Sequence, residues 1–309
     1  MEIGMVGLGR MGGNMTRRLI RAGHQVVVFD RDAEVASALA GEDPAVRAAT
    51  GLGELAGKLD PPRVVWIMVP AGQPTTDTVT QLTGVLAAGD VIVDGGNSRW
   101  TDSLSYGRAA SAHGVVHLDA GVSGGIWGLE HGYCLMVGGD EAACRLVEPV
   151  FTALATEGGY ARVGGPGTGH FTKMVHNGIE YALLQSYAEG FDLLRASGLD
   201  LDLAEVAEVW RHGSVVRSWL LDLVAGVLDR DGDLSHIAPY VEDSGEGRWT
   251  VEAAIERAVP VPAIAASLFA RFGSRRESFA DRLIAALRAG FGGHAVQTTD
   301  QREGGAPQS

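Results

Sequence analysis

Of the 25 basic residues other than histidine in this 309-residue chain, only Lys58 and Lys173 are lysines. Arginine keeps its proton near neutral pH, whereas burial can bring a lysine amine to neutrality and make it a base. Lys173 opens the run Lys173-Met174-Val175-His176-Asn177-Gly178-Ile179-Glu180-Tyr181. At ~100° per residue, Lys173, His176, Asn177, Glu180 and Tyr181 fall on one side of a helix, and Met174, Val175, Ile179 and Ala182 on the other. The first side is polar and reactive, and the second is expected to be core. A lysine and a glutamate at i and i+7 stand ~10 Å apart along the axis, so they could flank a small substrate without quenching each other. General acid–base chemistry is what such a face can do; an ordinary solvated face is the alternative. Gly178 costs ~1 kcal/mol in mid-helix, which points to close approach by another backbone or a ligand.

A second constellation lies at the start of the chain, where Gly7-Leu8-Gly9-Arg10-Met11-Gly12 follows an apolar strand and opens a helix. Glycines at these places allow a tight turn, approach of backbone to a pyrophosphate and close helix packing, and the helix N-terminus adds positive potential. The next strand ends in Asp30, near the spacing expected of an acid that binds the ribose hydroxyls of NAD. Its charge opposes the extra phosphate of NADP; Arg31 beside it could pair with that phosphate, so NADP use stays open. Two more loops sit where open α/β sheets bind ligands: Val69-Pro70-Ala71-Gly72 and Asp94-Gly95-Gly96-Asn97-Ser98. Asn97 is the candidate to bridge cofactor and substrate, or else a turn or cap residue. Asp119-Ala120-Gly121-Val122-Ser123-Gly124-Gly125 also follows a strand; it offers a hydroxyl and backbone N–H groups to an anion, or is a plain glycine-rich turn.

The elements that must carry these residues read as α/β. Strands are expected at Ile3–Val6, Gln25–Phe29, Val64–Val69, Val91–Asp94, Val115–Asp119 and Leu135–Val137, alternating with helices around Met11–Ala22, Thr75–Leu86, Ser103–Ala112 and Glu141–Leu154. That alternation predicts an N-terminal doubly wound, Rossmann-type parallel sheet over residues 1–165. Past the breaker cluster Gly164-Gly165-Pro166-Gly167 the strands vanish. Helices such as Phe171–Ser197, Leu203–Ala225 and Trp249–Arg257 then predict an all-α C-terminal domain for substrate and dimerisation over 166–296, with a polar tail, 297–309, expected to fray.

Composition narrows the function. The chain is 46% apolar and 20% charged with a formal net charge of −13, which supports a sizeable core and opposes nucleic acid and anionic membranes. An anionic substrate would then need a local cationic pocket. No apolar run is long enough to span a membrane, and Met1-Glu2-Ile3-Gly4 lacks the layout of a signal peptide, so the protein is expected in the cytoplasm. Cys134 and Cys144 have no metal-ligand spacing and read as buried reduced thiols. No metal is expected.

Beyond these readings, the stretches IGMVGLGRMGGNM, DGGNSRWTDS, VSGG and above all GHFTKMVHNGIEY, together with EDSGEGRWTVEAAIE, LFAR and RAGFGGH, resemble the 6-phosphogluconate dehydrogenase family over nearly the whole chain. The glycine fingerprint and VSGG are shared with the wider β-hydroxyacid dehydrogenase group; the HNGIEY helix is specific. The resemblance implies that Lys173 takes the proton of the 3-hydroxyl as hydride leaves for the nicotinamide. Glu180 would then protonate the carbon vacated by carbon dioxide, giving ribulose 5-phosphate. It places Asn97, Ser123, Gly124, Gly125, His176 and Asn177 on the sugar acid and its carboxylate, and Tyr181 and Arg271 on the phosphate. Arg288 and His294 would reach in from the partner subunit of a homodimer; pairing of dimers into tetramers stays open. Long-form members carry Lys and Thr where this chain has Ser244 and Glu246, an exchange that removes a phosphate ligand and adds an acid, with Arg248 placed to compensate. The chain is also shorter than the long form and looks like the NAD-using short branch, with pentose phosphate and gluconate metabolism as the implied setting. The rivals are a 3-hydroxyisobutyrate-type dehydrogenase that oxidises without decarboxylating, a dehydrogenase of unphosphorylated sugar acids, and a cofactor-binding regulator without turnover.

Overall fold

The β-branched runs of the first half are buried on both faces, as strands of a sheet covered by helices on either side must be. In the computed structural model, which describes residues 1–276 and 278–292, eight strands form one sheet. They are β1 (Glu2–Val6), β2 (Gln25–Phe29), β3 (Val46–Ala48), β4 (Val64–Ile67), β5 (Val91–Asp94), β6 (Val116–Ser123), β7 (Tyr133–Gly138) and β8 (Ala155–Gly164). Their order is β3-β2-β1-β4-β5-β6-β7-β8, parallel throughout except between β6 and β7. Successive residues feed opposite cores: Met5, Val28, Trp66 and Val93 pack on one side, and Val6, Val27, Val65, Ile67 and Ile92 on the other. The antiparallel step follows from a short connection. Between β6 and β7 there is room only for a 3₁₀ turn (Gly125–Trp127) and a single helical turn (Gly128–His131), whereas a parallel return needs a crossover of a dozen residues or more.

The expected doubly wound architecture is therefore present, with differences in detail. β3 and β8, and the helices Ala33–Glu42 and Leu52–Gly57, add to the elements expected. β6 runs on through Ser123, so Asp119 to Ser123 is strand and not loop. Cys134, expected to be buried, is exposed, whereas Cys144 is buried. The alternation of β7 explains this, because Tyr133 and Leu135 on either side face the core.

By its internal contacts the chain forms two compact units, one of Met1–Glu180 with Gly245–Val261, the other of Tyr181–Ser244 with the described residues from Pro262 onward. The longest helix among the described residues, Thr168–Ala196, starts in the first. In the second, the stretch expected as one helix is two, Leu203–Arg211 and Trp219–Arg230. Gly213 at φ +75° turns the chain, and Ser218 then caps the new helix by accepting from the Leu221 N–H. Phe191, Ala207, Leu221 and Ala225 form the core there, with Trp210 edge-on to Phe191.

What seats the long helix is a carboxylate from the sheet. Asp119, fully buried on β6, accepts from Gly167 N–H at 2.7 Å and His170 N–H at 2.8 Å, so a distant strand supplies the cap that a local side chain usually provides. The helix comes this close only because glycines line the contact: a Cβ on Gly169 would lie 2.2 Å from the Asp119 carbonyl oxygen and 2.5 Å from that of Met136. Gly169→Ala is accordingly expected to destabilise the first unit by at least about 2 kcal/mol. Urea unfolding checks this, and an unchanged midpoint would contradict the packing.

Candidate active site

The glycine loop has the geometry its sequence implied. Gly7 sits at φ +89°, and a Cβ on Gly12 would lie 1.9 Å from the Gly7 carbonyl oxygen; neither position admits a side chain. A Cβ on Gly9, by contrast, would meet nothing within 4 Å. The helix Arg10–Arg21 starts directly after it without a side-chain cap, leaving its first N–H groups for an anion. Asp30, at the end of β2, is held by the backbone: Leu8 N–H donates to Oδ2 at 2.7 Å and Asp32 N–H to Oδ1 at 3.0 Å. Arg31 is exposed beside it.

From this loop a line of contacts runs along the C-terminal ends of the strands. Gly7 lies against Met68 and Val69, and Gly96 against the Val69 carbonyl, each too close for a Cβ. Asp94, fully buried, accepts from Gly96 N–H and from the Ser98 hydroxyl. That fixes the turn in which Asn97 takes φ +53°, a conformation uncommon outside glycine and characteristic of functional turns when held in place. The Asn97 Oδ1 accepts from Val122 N–H at 3.2 Å, which ties this turn to the end of β6. Next to Val122, Ser123 Oγ lies 3.4 Å from His176 Nε2 on the long helix. Gly124 and Gly125 follow at φ +121° and +53°.

On the helix, Lys173 Nζ donates to Asn177 Oδ1 at 2.7 Å and lies 3.5 Å from His176 Nδ1, which is itself 2.9 Å from Asn177 Oδ1. His176 Nδ1 is 3.9 Å from Glu180 Oε2. Lys173 is 5% exposed. Burial pushes its amine below the ordinary lysine range, while the charges of Glu180 and Glu246 partly oppose the shift, as desolvation against opposite charge requires. Lys173, His176, Asn177 and Glu180 thus share a face, but the opposite face is not uniformly core: Met174 is buried, whereas Ile179 is 51% exposed. The buried stripe is His170, Lys173, Met174, Gly178 and Tyr181. Gly178 proves to be a contact with another helix, Glu246–Glu256. A Cβ there would come within 2.8 Å of Thr250, whose hydroxyl lies 2.8 Å from the Met174 carbonyl oxygen.

In the second unit, Tyr181 is buried with its hydroxyl 3.1 Å from Ser244 Oγ, and the Arg271 guanidinium lies 3.5 Å from the centre of its ring. His294 and the Arg288 side chain lie outside the described residues, as does the tail from 297. Motif reading missed Asp119 as the helix cap and Cys134 as a neighbour of Lys173. Neither leaves a local signal: the first is a contact across about fifty residues, the second a register pairing of Ser123 with Cys134 on β7.

Comparison with known proteins gives the family. Residues 2–165 match the family model described as the NAD binding domain of 6-phosphogluconate dehydrogenase, and residues 169–282 match that of the 6-phosphogluconate dehydrogenase C-terminal domain. An NAD(+)-dependent, decarboxylating 6-phosphogluconate dehydrogenase of Haloferax volcanii is 45% identical over 97% of this chain and 100% of its own length. The decarboxylating enzyme of Synechococcus elongatus is 37% identical over 87% of this chain but only 61% of its own. Among solved structures, a Plasmodium falciparum 6-phosphogluconate dehydrogenase superposes with a TM-score of 0.82 at 28% identity, covering 94% of this chain and 65% of that one. The chain belongs to the 6-phosphogluconate dehydrogenase family.

Proposed function

We propose that this protein oxidises 6-phosphogluconate at the 3-hydroxyl and decarboxylates the product to ribulose 5-phosphate, with NAD as the preferred and NADP as a secondary hydride acceptor. The observation that carries the proposal is the buried Lys173, its amine pushed towards neutrality by desolvation, on one helix face with Asn177 and Glu180. The first unit's residues fit a dinucleotide: Gly7 and Gly12 have no room for a Cβ, Gly9 is open, and Asp30 is fixed for two ribose hydroxyls. Bound NAD supplies the hydride acceptor; the other roles fall to side chains. Gly7, Leu8, Gly9, Arg10, Met11, Gly12, Asp30, Arg31 and Val69 would hold the cofactor, and Asn97 would hold both cofactor and substrate.

Lys173 starts neutral and accepts the 3-hydroxyl proton. Protonated, it donates to the new carbonyl oxygen and stabilises the charge that develops there as carbon dioxide leaves. Asn177 keeps Nζ in place through its amide oxygen. Glu180 protonates the carbon that has lost its carboxylate, a step that simple β-hydroxyacid oxidation does not need. Ser123, Gly124, Gly125 and His176 would receive the sugar acid, and the fixed Arg271 beside the Tyr181 and Ser244 hydroxyls would receive the phosphate. The matched spans 2–165 and 169–282 support a division of labour between a cofactor part, 1–165, and a substrate and dimerisation part, 166–296. We extend the reading to a cytoplasmic homodimer in which Arg288 and His294 complete the neighbour's site. Apolar side chains exposed in the second unit, among them Val215 and Trp219, support an interface. Among the described residues no helix is long and apolar enough to cross a membrane.

The direct test offers purified protein 6-phosphogluconate and gluconate with each nicotinamide cofactor and follows reduced cofactor and carbon dioxide together. One carbon dioxide per NADH from 6-phosphogluconate is expected; reduction without carbon dioxide, or turnover of gluconate alone, would refute the proposal. Lys173→Met should lower kcat by roughly 10²–10⁴-fold with cofactor still bound, and unchanged turnover would remove the base. Glu180→Gln should depress product formation more than substrate binding; a normal rate would remove Glu180 from the mechanism. In protein labelled with ¹³Cε-lysine, the resonance lost in Lys173→Met should titrate below the ordinary ~10.4, and a midpoint at or above that value would contradict its desolvation. Asp30→Ala should raise the NADP-to-NAD ratio of kcat/KM about tenfold or more, and a constant ratio would discredit the ribose assignment.

A further inference from the structure

Strand β6 and the long helix run in matched steps. Asp119, Gly121 and Ser123 share one face of the strand, because alternate strand residues point the same way. Each meets the helix about one turn further on. Asp119 takes the N–H groups of Gly167 and His170. A Cβ on Gly121 would lie 2.4 Å from Cβ of Lys173. Ser123 Oγ reaches His176 Nε2 at 3.4 Å. Alternate strand residues thus meet helix residues three apart, His170, Lys173 and His176, which lie along one side of the helix. Both carboxylate oxygens of Asp119 are engaged by the helix, with no exposed surface left on the residue. They act one turn before the lysine and leave its amine untouched.

Resting on the reading of Lys173 as the base, we propose that Asp119 is a positioning residue for proton transfer at Lys173. It sets the axial and rotational position of the helix on β6, and Gly121 is the notch that admits the lysine stem, so that Nζ stays buried against Asn177 and His176. The groups that face the amine are His176 and Glu180 on its own helix, Glu246 from the helix Glu246–Glu256, and Cys134 from β7. None of them is altered by a change at position 119, so a shift in the titration of Lys173 would report its setting.

Asp119→Asn keeps the shape but turns one acceptor into a donor that faces an N–H. The expected result is a fall in kcat of about tenfold or more with the KM for NAD changed less than about twofold. The acid limb of kcat/KM should also move to higher pH, because a released helix lets water reach the amine and raises its proton affinity. Asp119→Glu, which keeps the charge but is one methylene longer, should not restore either. An unmoved acid limb, or a fall in kcat equal to the loss of folded, NADH-binding protein, would overturn the proposal. Should Asp119→Asn not fold, Gly121→Ala decides: it leaves both helix-terminal bonds intact and crowds Lys173 from the same strand, and a wild-type limb there overturns the proposal. Lys173→Met separates the two readings, since turnover in that variant would defeat the base assignment itself. An inactive Lys173→Met beside an Asp119→Asn of wild-type pH profile would defeat only the role of Asp119.

Discussion

A buried carboxylate taking two helix N–H groups from a neighbouring strand is the interaction on which the arrangement of the first unit depends. Asp119 has no exposed surface, and an ionised carboxyl without partners would be expensive at such a place. Hydrogen bonds to a charged group contribute about 1.5–3 kcal/mol each, and the partial positive charge of the helix start adds to them. The carboxylate and the helix terminus therefore satisfy each other, and in doing so they fix where the next turn of the helix must lie. Gly138 and Gly169 exist at this contact because no Cβ fits between the elements. Sequence, backbone conformation and packing meet at one point.

From that point the site follows by contact. Lys173 lies one turn into the helix, and the same strand that holds the helix ends in Val122 and Ser123, which fix Asn97 and touch His176. Asn97 is held in turn by the Asp94 loop, and that loop abuts Val69 and so the glycine turn at Gly7. The polar groups are thus set by backbone contacts of strand ends, the rigid part of an α/β fold, and little is left to side-chain flexibility. The electrostatics agree with the chemistry asked of the amine. Burial lowers its proton affinity, and the nearby acids partly oppose that effect, the direction that the proposed base role requires. A chain of net charge −13 that handles an anionic sugar acid needs cations where the acid binds; Arg271, stacked on Tyr181, is the one proposed for that role.

Much of this was legible from residue types. The glycine turn and the strand-ending Asp30 announced themselves because their constraints are local: a positive φ, a forbidden Cβ, a fixed interval. The helix face of Lys173 and Glu180 followed from a period of 3.6. What stayed hidden was non-local or lacked periodicity. β8 contains Gly158 and Gly159 and is mostly exposed, so it has no alternation to read. The break after Arg211 depends on Gly213 and on the Ser218 cap, which the continuous apolar periodicity of the stretch masked. The helical period places Ile179 on the core side, yet the buried stripe passes through Gly178, where Thr250 packs. Asp119 read as part of an anion-binding loop because its partners lie 48 and 51 residues away; only the fold brings them together.

The geometry of β6 and its helix is proposed to deliver a neutral amine to the hydroxyl that is oxidised. A crystal structure with 6-phosphogluconate and the reduced cofactor bound tests it most directly. Lys173 Nζ is expected within hydrogen-bond reach of the 3-hydroxyl, with the Asp119 bonds to Gly167 and His170 unchanged. A complex in which the sugar acid's 3-hydroxyl meets another side chain, with Lys173 bonded only to Asn177, would contradict it.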